Sequence, residues 1–473
     1  MNAFLLNRQL GSVSPQALAQ AQSQRLLQSL QADSSVTFQL DTSELQSGED
    51  AVVDRLHSSV DCPTRGGRSA HAAGINSIAI DRWEGRYLLS AGSDSSVAIW
   101  DLEGEAASPT GKAAHTPLEY ASRTSATGSL GITHISFFID SLAFITSGYD
   151  GTVKVFSSET LKASASFDLG GTVHSHATST TGSHLLVACA SAHPAVRLVD
   201  LQSGSSAHAL AGHSGSVLTV AWHPKDPNIL ASGATDGTIR LWDIRRSASS
   251  LGVLDMDDNI GIPGYDGKGT GARRRERGRA HVGAVNSIVW SEDGRHLVSS
   301  GTDEKMRVWN MSTGANTLAN FGPTLKNSQN TVLLPVLAPA HLESAGKTTV
   351  FYPNPQEVLV FDLHTGTLRH RLRVTAPPAA ETAVAAFAPA IRNLKNTTTS
   401  LAWRPHSMEL YSAHSDGRIR CYSPRTWEDQ AADDDDVDDG MDFAVETQAE
   451  RKRKREELDD IVKDLMGKKV TYS

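Results

Sequence analysis

The feature that most constrains this chain is a short pattern that occurs five times. A hydroxyl residue is followed four positions later by an aspartate, and six positions after that by an aromatic residue. Alternating apolar residues flank each aspartate, as in ILASGATDGTIRLW, which predicts two antiparallel strands. Asp-Gly and Asp-Ser pairs suit the tight turn between such strands. The trios are Ser90, Asp94, Trp100; Thr146, Asp150, Phe156; Ser232, Asp236, Trp242; Ser299, Asp303, Trp309; and Ser412, Asp416, Tyr422.

Two weaker units bring the predicted number of repeats to seven. They end in Val199-Asp200 and Phe361-Asp362, and both lack the turn aspartate. Repeats of this length stack side by side, so we predict an all-β ring of seven blades. Such a ring needs a segment to cover its last open strand edge. Residues 52–56 are the candidate for this closing strand, and residues 36–40 are the alternative.

A histidine precedes three of the repeats, 22 or 23 residues before the turn aspartate. The order Gly-His, Asp, Trp-Asp resembles the WD40 repeat, so the chain resembles a seven-bladed WD-repeat β-propeller. Ser, His and Asp also make up hydrolase triads, but a catalytic triad occurs once, in a cleft. Their recurrence predicts a structural hydrogen-bond network. The predicted members are His71, Ser90, Asp94, Trp100, Asp150, His213, Ser232, Asp236, Trp242, His281, Ser299, Asp303, Trp309 and Asp416.

No other motif predicts catalysis, a cofactor or a metal. The segment GIPGYDGKGT at 261–270 departs from a phosphate-binding loop, because Gly269 stands where Ser or Thr would bind magnesium. His174 and His176 lack a third ligand at metal-binding spacing. The basic segment ARRRERGR at 272–279 is either a solvated loop or a contact for phosphates or an acidic partner. We therefore predict a protein without enzyme activity.

The composition of the chain bears on its cellular compartment and on the partners that it can bind. Its three cysteines, Cys62, Cys189 and Cys421, are widely spaced, which argues against a disulfide framework and favours a reducing compartment. No apolar run is long enough to cross a bilayer, and no signal-peptide pattern is expected at the N-terminus. The net charge of -9 argues against nucleic-acid binding along the whole surface.

The first segment of the chain predicts a helical arm. Ser14 is a good N-cap with Pro15 at the first helical position. Leu18, Leu26, Leu27 and Leu30 are expected to share one face of the helix. A propeller does not need this segment for closure. The helix therefore either packs on its own propeller or inserts into a groove of a partner.

The last segment changes composition after Trp427. An acidic run at 433–439 predicts a disordered tail, and a short amphipathic helix is expected near residues 458–465. Arg451, Lys452, Arg453, Lys454 and Arg455 predict a nuclear localisation signal or a nucleic-acid contact. The predicted organisation is an arm at 1–34, a linker with the candidate closing strand at 35–69, the propeller at 70–427 and the tail at 428–473.

Two further resemblances bear on function. Trp242, Asp243 and Arg245 match the WDxR signature of WD-repeat receptors that dock on damaged-DNA-binding protein 1, the adaptor of cullin-4 ubiquitin ligases. More broadly, the chain resembles the Cockayne syndrome group A family. That resemblance is carried by FLLNRQLG near the start, GINSIAIDRWEGRYLLSAGSD, TVHSHATSTTGSHLLVACAS, ILASGATDGTIRLWDIRR and GRHLVSSGTDEKMRVWNMSTGANTLANFG. Residues 41–69, the basic insertion and the tail depart from the family pattern.

The resemblance implies a nuclear substrate receptor in transcription-coupled nucleotide excision repair. In this interpretation, Phe4, Leu5, Leu6 and Arg8 of the arm, with Asp243 and Arg245, hold the adaptor. The other propeller face would engage an ATPase of the Cockayne syndrome group B type at stalled RNA polymerase II, with any DNA contact indirect. The alternative hypothesis is a WD-repeat scaffold in chromatin or RNA processing that does not bind the adaptor.

Overall fold

A computed structural model describes residues 11, 14–33, 35–40, 69–104, 113–123, 127–128, 130–138, 141–181, 184–246, 250–256, 279–344, 346–373 and 396–425. Within these residues, seven sheets of four antiparallel strands form the blades of a β-propeller. The predicted seven-bladed fold is therefore confirmed. The structure also contains helix α1 (Pro15–Gln28) and two short 3-10 helices, Gly322–Thr324 and Ala340–Leu342.

Each blade contains four strands, ordered from the first strand to the outer strand. Blades 1 to 3 are β3 (Ile75–Ile80), β4 (Tyr87–Gly92), β5 (Val97–Asp101), β7 (Pro117–Ala121); β8 (Ile132–Phe137), β9 (Ala143–Gly148), β10 (Thr152–Ser157), β11 (Ala163–Asp168); and β12 (Val173–Thr178), β13 (Leu186–Ser191), β14 (Ala195–Asp200), β15 (Ser205–Ala211). Blades 4 and 5 are β16 (Val217–Trp222), β17 (Ile229–Ala234), β18 (Ile239–Asp243), β19 (Ser250–Leu254); and β20 (Val285–Trp290), β21 (His296–Gly301), β22 (Met306–Asn310), β23 (Ala315–Asn316). Blades 6 and 7 are β24 (Val336–Leu337), β25 (Thr349–Pro353), β26 (Glu357–Asp362), β27 (Leu368–Arg373); and β28 (Thr398–Trp403), β29 (Leu410–His414), β30 (Ile419–Pro424), β1 (Leu30–Asp33).

The strand register gives the propeller two distinct faces. The hairpin turns between second and third strands, which contain Asp94, Asp236 and Asp303, lie on one face, which we call the turn face. Every third strand then runs to the opposite face, where the loops between first and second strands also lie. In blade 4, for example, Ile229 at the start of the second strand pairs with Asp243 at the end of the third. We call this second face the arm face.

The ring is closed by β1, which pairs with β30 of blade 7. Both sequence candidates for this strand, residues 52–56 and 36–40, were therefore wrong, as was the expectation that the arm segment is not needed for closure. Residues 52–56 lie outside the described residues, and Val36–Phe38 forms β2, which pairs in parallel with β6 (Ala113–His115). A four-residue strand is too short to show an alternating pattern.

Two leucines near the arm connect it to the propeller core. Leu30 is fully buried, and Leu27 at the end of α1 joins it in an apolar cluster with Phe351, Leu410 and other residues of blades 6 and 7. Leu30 belongs to β1 rather than to the helix, so the four leucines do not share one helical face as predicted. Leu18 and Leu26 are only partly buried. The helix starts as predicted, because Ser14 accepts a hydrogen bond from the backbone N–H of Ala17.

Candidate functional site

In blades 1, 4 and 5, the histidine before the first strand and the tryptophan of the third strand both contact the serine of the second strand. In blade 4, the Nε2 atom of His213 lies 2.7 Å from the Ser232 hydroxyl, and the Trp242 indole N–H donates to that hydroxyl at 2.7 Å. The Nδ1 atom of His213 lies 2.9 Å from Thr238 and 3.4 Å from Asp236. The three side chains His213, Ser232 and Trp242 are buried. This arrangement links the loop before the blade to its second and third strands.

Blades 1 and 5 build similar networks. In blade 1, His71 and Trp100 both contact Ser90, and Ser96 lies between His71 and Asp94 as Thr238 lies between His213 and Asp236 in blade 4. In blade 5, His281 contacts Asp303 directly at 2.9 Å and Ser299 at 2.8 Å, and Trp309 donates to Ser299. Since the arrangement recurs in separate blades, it has the character of a structural network and not of one catalytic centre.

The network also changes the ionisation of its members. Burial lowers the pKa of His71 to about 4, although the nearby Asp94 carboxylate opposes this shift. Burial also lowers the pKa of His281. For Asp303, burial favours the neutral acid, but hydrogen bonds and charge from His281 and Arg307 outweigh it and hold the pKa well below its usual range. The pKa of Asp236 is lowered similarly, through His213, Ser214 and Thr238.

Blades 2 and 7 depart from the pattern. Asp150 caps its own turn by accepting hydrogen bonds from the backbone N–H and the hydroxyl of Thr152. Asp416 accepts from the backbone N–H of Arg418 and from the Asn396 amide. In blade 7 the partner of Ser412 is His414, two residues along the chain, at 2.8 Å. The sequence pattern did not indicate His414, because this histidine follows the serine within one strand and does not precede the blade.

A second site lies where the third strand of blade 4 ends. Asp243 accepts two side-chain hydrogen bonds from Arg245, from Nε at 3.0 Å and from Nη2 at 2.8 Å, and one from its backbone N–H at 3.0 Å. The Asp243 side chain is 7% exposed, whereas that of Arg245 is 64% exposed. These hydrogen bonds lower the pKa of Asp243 and raise that of Arg245. The aspartate therefore holds a charged, solvent-facing guanidinium in one orientation.

The corresponding aspartates of two other blades bind arginines in different ways. Asp101 of blade 1 pairs with Arg86, which precedes the second strand, and Asp362 of blade 6 pairs with Arg369 of the outer strand. The Arg369 side chain is mostly covered, and Arg86 is less exposed than Arg245. Among these three pairs, blade 4 therefore presents the most accessible guanidinium.

Arg245 and helix α1 lie on the same side of the propeller. Arg245 follows the end of β18, and this end lies on the arm face. Leu30, the first residue of β1, pairs with Pro424 at the end of β30, so α1 also reaches the propeller at the arm face. The helix packs there against the Ala340–Leu342 3-10 helix and against β30. The fold thus places on one face two predicted docking elements that are far apart in the sequence, one at blade 4 and the other at blades 6 and 7.

Several predicted residues lie outside the described residues. These are Phe4, Leu5, Leu6 and Arg8 of the arm, Arg451, Lys452, Arg453, Lys454 and Arg455 of the tail, the phosphate-loop-like segment at 261–270, and residues 272–278 of the basic insertion. His174 and His176 are described, and no group of three potential metal ligands occurs in the described part of the chain. No helix among the described residues is long and apolar enough to span a membrane.

Comparisons with known proteins identify the repeats. Four segments, residues 65–101, 122–157, 204–243 and 275–310, match the family described as WD domain, G-beta repeat. The chain is 26% identical to the WD repeat-containing protein ATCSA-1 of Arabidopsis thaliana over 433 residues, which is 78% of this chain and 90% of that protein. It is 26% identical to Radiation-sensitive protein 28 of Saccharomyces cerevisiae over 38% of each chain. It is 27% identical to DDB1- and CUL4-associated factor 13 of Dictyostelium discoideum over 26% of this chain and 22% of that protein.

Proposed function

We propose that this chain, a seven-bladed propeller in which four segments match the WD domain, G-beta repeat family, is a substrate receptor of a cullin-4 ubiquitin ligase. The observation that carries the proposal is the Asp243–Arg245 pair on the arm face, the same face at which α1 reaches the propeller at blades 6 and 7. An arginine held by a carboxylate presents its remaining N–H groups to a partner without losing further side-chain entropy on binding.

The comparisons support this assignment through the names of the relatives. One relative is named for association with DDB1 and CUL4, which are the adaptor and cullin of such a ligase. The Arabidopsis relative, which matches 78% of this chain, carries CSA in its name, in line with the resemblance to the Cockayne syndrome group A family. WD40 propellers typically act as scaffolds or receptors, so the transfer of ubiquitin would be performed by other subunits and not by this chain.

The finer proposal is a role in transcription-coupled nucleotide excision repair. The name of the yeast relative records sensitivity to radiation, which supports a repair function. With the arm face on the adaptor, the turn face is left for an ATPase of the Cockayne syndrome group B type at stalled RNA polymerase II. We further propose that the protein is nuclear and that the basic run at 451–455 directs its import.

The adaptor proposal is tested by measuring binding of purified damaged-DNA-binding protein 1 to the full chain. Arg245→Glu should weaken binding at least tenfold, because it replaces the oriented cation with a carboxylate beside Asp243. Arg246→Glu is the matched control, since it makes the same charge change at an exposed neighbour whose side chain does not pair with Asp243. Equal affinities of the two variants would contradict the assigned role of Arg245.

The role of the arm in adaptor binding is tested with a deletion that leaves the propeller closed. Removing residues 1–32 would also remove most of β1 and leave the edge of β30 uncovered. Removing residues 1–13 instead takes away Phe4 to Arg8 and keeps the Ser14 N-cap, α1 and β1. We expect this shorter deletion to reduce adaptor binding while the melting temperature stays the same. Full adaptor binding by the deletion would refute the arm hypothesis. An absence of binding by the wild-type chain would favour the scaffold alternative.

A further inference from the structure

The arm face carries a second feature besides Arg245. Eleven large apolar side chains are exposed among the described residues, and their positions can be sorted by the strand register. Three of them, Trp83, Leu142 and Leu185, lie in the loops between first and second strands of blades 1, 2 and 3. These loops all belong to the arm face. Consecutive blades therefore present one large apolar side chain each on the same face, and we call this set the apolar arc.

The turn face has no comparable series among the described residues. Leu130 and Tyr149 both belong to blade 2, and Val282 precedes blade 5 on the far side of the ring. The other exposed apolar side chains lie on or just after outer strands, at the rim of the propeller: Leu118, Leu251, Val253, Leu318 and Leu368. The apolar arc is therefore specific to the face that carries Arg245 and α1.

The loops that carry Trp83 and Leu142 are held in place by hydrogen bonds within and between blades 1 and 2. Asp81 accepts hydrogen bonds from the backbone N–H groups of Trp83 and Glu84 and from the Ser141 hydroxyl of the neighbouring blade. Ser158 donates its backbone N–H to the carbonyl of Leu142 at 2.9 Å. Trp83 and Leu142 are 62% and 64% exposed even though their backbones are tied down. Apolar anchors on rigid backbone lose little conformational entropy on binding.

A similar chain of contacts connects Leu185 to Arg245. The carbonyl of Leu185 accepts from the backbone N–H of Leu201, and the adjacent His184 Nε2 lies 2.8 Å from the Pro227 carbonyl of blade 4. The next residue, Asn228, accepts through its carbonyl from the backbone N–H of Ile244 at 3.0 Å. Leu185 and Arg245 thus stand on loops that are each hydrogen-bonded to the same loop of blade 4, which contains Pro227 and Asn228.

We propose that the apolar arc of Trp83, Leu142 and Leu185 is an extension of the Arg245 docking surface and binds the same ligase adaptor. This inference rests on the proposed function, since it assumes that Arg245 contacts the adaptor. An exposed ion pair alone contributes little binding energy, whereas a few side chains buried at the centre of an interface, most often Trp, Tyr and Arg, contribute most of it. Trp83 is therefore the principal anchor expected in the arc, and the two leucines extend the apolar surface around it. Exposed Arg82 and Glu84 beside Trp83 supply the polar rim that surrounds such anchors.

The adaptor is favoured over other occupants by continuity of the surface. The loop of Leu185 is hydrogen-bonded to the blade 4 loop that also bonds Ile244, next to Arg245, and the loops of Leu142 and Trp83 follow on the same face in blades 2 and 1. A partner that covers Arg245 therefore extends onto Leu185 first. A substrate on the turn face would be separated from the arc by the length of the strands. A second copy of this chain is the other apolar-rich occupant, and the experiment distinguishes it.

The test compares two triple variants of the full chain for binding to purified damaged-DNA-binding protein 1. The arc variant carries Trp83→Ser, Leu142→Ser and Leu185→Ser. The matched control carries Leu130→Ser, Tyr149→Ser and Val282→Ser, which remove similarly exposed apolar side chains from the turn face. We expect the arc variant to raise Kd at least about 30-fold, the effect of one well-buried anchor, and the control to stay within about threefold of wild type.

The possible outcomes separate this inference from the proposed function. Equal Kd values for the two triple variants, with Arg245→Glu still impaired, would overturn the arc and leave the proposed function standing. No binding by the wild-type chain would overturn both. A concentration-dependent dimer that the arc variant abolishes, without any change in adaptor affinity, would assign the arc to self-association and overturn the inference. Melting temperatures of both variants are measured alongside, and Trp83→Ala alone replaces the arc variant if the triple substitution unfolds.

Discussion

Truncation of Leu30 to alanine tests the finding that the arm closes the propeller. Leu30 is fully buried, in an apolar cluster with Leu27, Phe351 and Tyr422. Removing a buried leucine side chain costs about 2–5 kcal/mol, because apolar surface is lost and a cavity remains. The neighbours of Leu30 belong to two blades and to the helix, so the cavity cannot collapse easily, and we expect a loss of about 3 kcal/mol in the free energy of unfolding.

The assay is thermal unfolding of the full chain at a fixed scan rate. For a domain of this size, about 3 kcal/mol corresponds to a fall in melting temperature of roughly 5 °C. Gln31→Ala is the matched control, since Gln31 lies in the same strand with an exposed side chain and should change stability by less than about 0.5 kcal/mol. If Leu30→Ala and Gln31→Ala melt at the same temperature, then β1 does not close the ring in solution and the reasoning is refuted.

The remaining predictions concern the network and its ionisation. Trp242→Ala should cost about 3–5 kcal/mol, because it leaves a cavity and removes the donor to Ser232, whereas the exposed Trp83→Ala should be nearly neutral in a denaturant titration. Stability should fall as the pH is lowered from about 6.5 towards 4, since burial lowers the pKa of His71 and of His134 to about 4 and the unfolded chain binds protons first. A buried histidine with a lowered pKa does not weaken the fold above pH 6.5, where it is neutral in both states, and weakens it progressively below that pH. His134→Asn should therefore reduce the change in the free energy of unfolding between pH 6.5 and pH 4. The same change as in wild type would contradict the role of His134. Because the pKa of Asp303 is lowered in the folded state, the ionised carboxylate stabilises the fold above about pH 4, and this stabilisation is lost at strongly acid pH. Asp303→Asn should therefore destabilise the protein at neutral pH but not at strongly acid pH, as followed by tryptophan fluorescence.

Local periodicity explains why the sequence predicted the blades. Each strong repeat contains the alternation, the turn and the aromatic residue within about fifteen positions, so its hairpin depends on residues that are close in the chain. The serine and histidine partners of Trp242 were predictable for the same reason, since the spacing recurs. His414 was not predictable, because it replaces the usual histidine from a different position within blade 7.

The sequence by itself determined the hairpins, the count of seven blades, the capped helix at Ser14 and the buried His–Ser–Trp networks of blades 1, 4 and 5. Only the tertiary structure decided which segment closes the ring, because β1 is a four-residue strand whose pairing with β30 joins residues nearly 400 positions apart. It also decided that α1, Arg245 and the apolar arc share one face. Strand direction within each blade and the hydrogen bonds between neighbouring loops place them there, and no pattern along the chain records such contacts.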